Sequence, residues 1–81
     1  MPTIKGIPGQ YRLFFYSFDC NEPMHVHARH ERVTCKFWME PTALASNDGF
    51  SARDLSAVRR VILEYRLEIE EAWREHCGET R

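Results

Sequence analysis

Apolar and polar positions alternate along the first half of the chain and then change period. From Tyr11 to Phe18 the residues run Tyr-Arg-Leu-Phe-Phe-Tyr-Ser-Phe, an aromatic, β-favouring stretch too short for a globular helix of this composition. Asp19, Asn21 and Pro23 supply turn chemistry. Met24 to His30 can then run extended around Val26, and Val33 to Glu40 alternates strictly, as a strand with one buried face does. Glu31 and Arg32 are the tip between these two strands. Pro41 ends the third strand because its ring removes a ladder donor, and Thr42 to Gly49 reads as a helical turn plus loop.

After Ser51 the period becomes helical. Ser51 and Asp54 have capping-box spacing. Leu55, Val58, Ile62, Tyr65, Ile69, Ala72, Trp73 and His76 recur at intervals of three and four, which places them on one stripe. Gly78 is a natural stop. The pattern therefore predicts one α+β domain over residues 1–81. Three antiparallel strands (about 11–18, 24–30 and 33–40) are packed on one face by a single long C-terminal helix (about 52–77). Residues 1–9, with two prolines and two glycines, read as an irregular arm.

Strand alternation divides the chemistry between two faces. Met24, Val26 and Ala28, with Val33, Cys35, Phe37 and Met39, belong under the helix. His25, His27 and Arg29 then share the other face with Lys36 and Trp38. In the first strand Leu13/Phe15 and Phe14/Tyr16 are equally apolar pairs, so the pattern does not choose between them. Either choice leaves an aromatic and basic outer face that no helix covers, the kind of surface that takes a partner or ligand.

Composition narrows the classes. With 43% apolar and 28% charged residues the chain is an ordinary globular one, and no apolar run approaches a membrane span. The N-terminus lacks the apolar segment of a signal peptide, so the expected location is cytoplasmic. A net charge of −1 excludes a generally basic nucleic-acid binder. Cys20, Cys35 and Cys77 are odd in number and widely spaced, which predicts three free thiols, Cys35 and Cys77 inert, rather than a disulfide framework or a cysteine-rich zinc site. Along the helix Arg53, Arg59 and Arg60 precede Glu68, Glu70, Glu71, Glu75 and Glu79. That order opposes the helix dipole and points to an anion at Arg53 or, more simply, to solvated pairs such as Arg66–Glu70 and Glu70–Arg74.

Asn-Glu-Pro-Met-His-Val-His at 21–27 is preceded by Phe-Phe-Tyr-Ser and followed by Lys-Phe-Trp-Met-Glu-Pro, and Gly-Phe-Ser-Ala-Arg stands at 49–53. With these segments the chain resembles the small bacterial family catalogued as domain of unknown function 4160, from about Tyr11 to His76. The resemblance brings no activity. It implies a compact bacterial protein often encoded beside another small protein, in an arrangement similar to a toxin–antitoxin pair.

Four readings of the histidine pair follow. In the leading one, the outer face is an interaction surface for a cognate small protein encoded nearby or for RNA, with Tyr16 and Trp38 as stacking platforms, Lys36 and Arg53 as anion contacts, and a homodimer as a further arrangement. In a metal-independent ribonuclease, His27 would be the general base, His25 the general acid and Arg29 the cation facing the phosphorane. A His-based metal-binding domain needs a third ligand from Glu40, Cys20 or His76, because His30 points to the opposite face; no metal or cofactor is assigned on the sequence. In the structural reading, one imidazole bonds a loop carbonyl and the other is half exposed.

Overall fold

In the computed structural model, which describes residues 3–78, four strands form an antiparallel meander in the order β1 (Arg12–Phe14), β2 (His25–His30), β3 (Val33–Met39), β4 (Thr42–Asp48). A 3-10 turn, Asp19–Asn21, lies between β1 and β2, and two helices follow, α1 (Ala52–Glu64) and α2 (Arg66–Cys77). The α+β class and the antiparallel sheet are as the sequence pattern predicts; the three-strand, one-helix count is not.

The fourth strand is where the reading of Thr42 to Gly49 fails. Met39 pairs with Thr42, so Glu40 and Pro41, joined by a cis peptide, make a two-residue turn and the chain returns along β3. Pro41 does end β3, but by reversing the chain. Thr42 and Leu44 of β4 pair with the core residues Met39 and Phe37, but Leu44 stays 45% exposed, and a register shift between Lys36 and Phe37 breaks the alternation. A pattern-based reading has little to grip there. The Glu31–Arg32 tip is found where expected, between paired His30 and Val33.

The helix divides at Tyr65, whose backbone angles (φ −107°, ψ 27°) leave the helical range. Hydrogen bonding continues through the bend, from Tyr65 N–H to the Val61 carbonyl and from Ile69 N–H to the Tyr65 carbonyl, both at 3.0 Å. No Pro or Gly lies between Ala52 and Cys77, so the bend has no local signature. It comes from packing: Val58 and Ile62 on α1 and Ile69 and Trp73 on α2 are all buried against one small sheet, and the end of α2 is bonded to the β1–β2 connection. Ser51 caps α1 as predicted, its hydroxyl accepting from Asp54 N–H at 3.1 Å. The Arg66–Glu70 and Glu70–Arg74 pairs are also present; Glu79 lies outside the described residues.

The cysteine reading is corrected. Cys20 and Cys77 form a disulfide across 57 residues, which leaves Cys35, buried, as the free thiol. An odd count argues against a full framework but does not exclude one pair. The bond joins the 3-10 turn to the last residue of α2. The N-terminal arm is also less free than expected: Thr3 bridges Phe14, Ile4 N–H donates to the Leu13 carbonyl at 2.9 Å, and Ile4 enters the core. Among the described residues no helix is long and apolar enough to cross a membrane.

Candidate functional site

The register resolves the ambiguity in β1. Leu13 pairs with Ala28 and Phe14 with His27, so Leu13 and Phe15 join the core while Phe14 and Tyr16 lie on the outer face. On that face His25 pairs with Trp38, His27 with Lys36, and Arg29 with both Arg12 and Thr34. The aromatic rings interlock around His27: Phe14 stacks on it at 5.3 Å and Tyr16 meets it edge-on at 4.7 Å. Tyr16 in turn stacks on Phe18 at 5.4 Å with the planes 5° apart, and Phe18 is 66% exposed. Lys36 lies over the Trp38 ring, 4.5 Å from its centroid, and is paired with Glu22.

His25 is the main departure from expectation. Register places it on the outer face, yet it is wholly buried, because Trp73 of α2 reaches the end of the sheet and meets its ring at 5.1 Å while Trp38 flanks it at 5.7 Å. The imidazole turned away from the helices is therefore His27 alone, which retains 14% side-chain exposure.

Both rings converge on a residue that sequence reasoning treated only as a turn former. Asp19, 3% exposed, places Oδ2 3.0 Å from His27 Nε2 and Oδ1 3.1 Å from His25 Nε2. Tyr16 N–H donates to Oδ2 at 2.7 Å. The nearest sequence signal was Asp19 standing six positions before His25, in a turn whose fold-back could not be read. His25 Nε2 makes this contact as an ion-pair approach and, among the described residues, has no aligned hydrogen-bond partner. His25 Nδ1 lies 2.8 Å from the Pro23 carbonyl oxygen. A carbonyl only accepts, so Nδ1 carries the proton there.

Burial works to raise the Asp19 pKa, but the Tyr16 N–H and then the neighbouring histidines outweigh it and hold the carboxyl below its ordinary 3.8. Burial pushes His27 below its ordinary 6.5, against the opposing pull of the Asp19 charge. Glu22 is held below 4.5, chiefly by its hydrogen bond from Lys36.

Of the residues singled out in the sequence, the fold thus gathers His25, His27, Tyr16, Lys36 and Trp38 around Asp19. Arg29 shares their face but lies further along β2, its Nε donating to the Glu31 carbonyl at 3.0 Å. Arg53 is not part of the group: it sits exposed in the first turn of α1, on the opposite side of the sheet. Among the proposed third ligands, Glu40 lies in the β3–β4 turn, Cys20 is disulfide-bonded and His76 Nε2 donates to the Tyr16 carbonyl at 3.0 Å.

The profile of the family described as Domain of unknown function (DUF4160) matches residues 10–74. The chain belongs to this family. The matched DUF4160 segment spans all four strands and most of both helices, and so includes Asp19, His25 and His27. No curated protein and no solved structure matches the chain.

Proposed function

We propose that this DUF4160 protein is a small binding module whose helix-free sheet face holds a cognate protein, as in the paired arrangement its family resemblance implies. The observation that carries the reading is the Tyr16–Phe18 stack, which presents a 66% exposed Phe18 beside His27 and the Lys36–Trp38 pair. Aromatic side chains ringed by mixed charge are the usual anchors of protein interfaces. Here Arg12 and Arg29 stand at one end of the face, and Glu22 lies close by.

RNA is the second reading, supported by the Tyr16–Phe18 stack as a base platform. The pairing of Lys36 with Glu22 removes one of the cations it would use. The burial of His25 speaks against its serving as general acid on a substrate arriving at this face, and so against the two-histidine ribonuclease.

Co-expression with the neighbouring small gene tests the proposal. Wild-type protein should co-purify with that gene's product and Phe18→Ser should not, with both chains equally stable to heat. Equal capture by wild type and Phe18→Ser, or Phe18-dependent crosslinking to RNA with no protein captured, would overturn it.

A further inference from the structure

Two polar atoms face each other in a buried place with no aligned hydrogen bond between them. With a proton on Nδ1 toward the Pro23 carbonyl, His25 aims Nε2 at Asp19 Oδ1, 3.1 Å away. Among the described residues Oδ1 receives no aligned donor, since Tyr16 N–H and His27 both approach Oδ2. An acceptor set against an acceptor inside a protein costs the full desolvation of both unless a positive species lies between them. A second proton on His25, which would make an ion pair with Asp19, is one such species; a metal ion is another.

We infer that Asp19, His25 and His27 form a binding site for a divalent transition-metal ion. Donor atoms from the three residues all lie within 4.8 Å of one another, the compass of one coordination sphere. Two imidazoles and one carboxylate are a donor set that zinc and ferrous iron both accept, with remaining positions for water.

The supporting contacts have the form expected around a metal. A ligating histidine ordinarily donates its other ring N–H to a backbone carbonyl, which fixes the tautomer and aims the free nitrogen; His25 does this with Pro23. Asp19 is aimed by Tyr16 N–H, and the 3-10 turn that carries it is tied to α2 by the neighbouring Cys20–Cys77 bond. His25 is held between Trp38 and Trp73. His27, the most exposed of the three, gives the ion its way in.

Titration calorimetry of chelator-treated protein with zinc chloride, the disulfide intact, tests this. One zinc per chain is expected, with affinity lowered at least about tenfold in Asp19→Asn and in His27→Gln and unchanged in His30→Gln. Because a variant at a buried position can fail by misfolding, proton spectra of the wild type provide a second readout. Zinc should displace the imidazole signals of His25 and His27 and leave that of His30 in place. No zinc uptake, uptake unaffected by Asp19→Asn and His27→Gln, or displacement confined to His30 and His76 would overturn the site.

Discussion

His27 shows how a side chain's surroundings become a property of the whole protein. Its pKa lies below 6.5 in the fold because burial disfavours the charged ring. As pH falls, the unfolded chain therefore takes up this proton first. The contribution of His27 is fully present above its unfolded value and is lost as pH drops through the lower folded value. Asp19, held below 3.8, acts with the same sign in a lower window. With chelator present, the melting temperature should fall more steeply between about pH 7.5 and 5.5 in the wild type than in His27→Gln. Parallel curves would remove His27 as the cause.

Gly49 stands where any side chain is costly. Its φ is 108°, and a Cβ there would stand 2.5 Å from Val33 Cγ1. The flanking turn is closed by Asn47, whose side chain accepts from Phe50 N–H at 3.0 Å and donates to the Phe50 carbonyl at 2.9 Å. Gly49→Ala should cost about 1–3 kcal/mol in urea unfolding. A variant as stable as wild type would mean that this turn is not held as described.

At the level of elements, the legible parts were those carried by local pattern. The stripe from Leu55 to His76 announced the buried Val58, Ile62, Ile69 and Trp73, and alternation in β2 and β3 announced the faces of Val26, Phe37, Lys36 and Trp38. What escaped depends on contacts distant in sequence. β4 is weakly patterned and gains its place by pairing with β3. The Tyr65 bend has no breaker to mark it. His25 sits on the predicted face of its strand, but a tryptophan 48 positions later closes over it. Asp19 could be read as a turn residue and no more, because only the folded chain shows that its carboxylate returns to both imidazoles.

For the whole molecule, the Cys20–Cys77 bond joins the connection that carries Asp19 to the end of the chain's last helix. Closing a loop of this length restricts the unfolded chain and is worth about 4 kcal/mol by chain entropy, a large share of the stability of an 81-residue protein. Reduction should lower the free energy of unfolding by about 2–4 kcal/mol and weaken zinc uptake with it, since Asp19 adjoins Cys20. Cys35 offers a control. Burial pushes its thiol up to about 11, so the native, oxidised protein should react with no thiol reagent on a timescale of minutes, and the denatured one with a single equivalent. Two fast-reacting thiols in unreduced native protein would show that the bond does not form.

The orientation of His25 closes one end of the sheet face and sets the direction of the nitrogen it turns toward Asp19. A long-range proton–nitrogen spectrum of labelled, metal-free protein reads this directly. It should show a hydrogen on His25 Nδ1, protected from exchange by the Pro23 carbonyl. A bare Nδ1 with the proton on Nε2, exchanging at the rate of an exposed histidine, would contradict it.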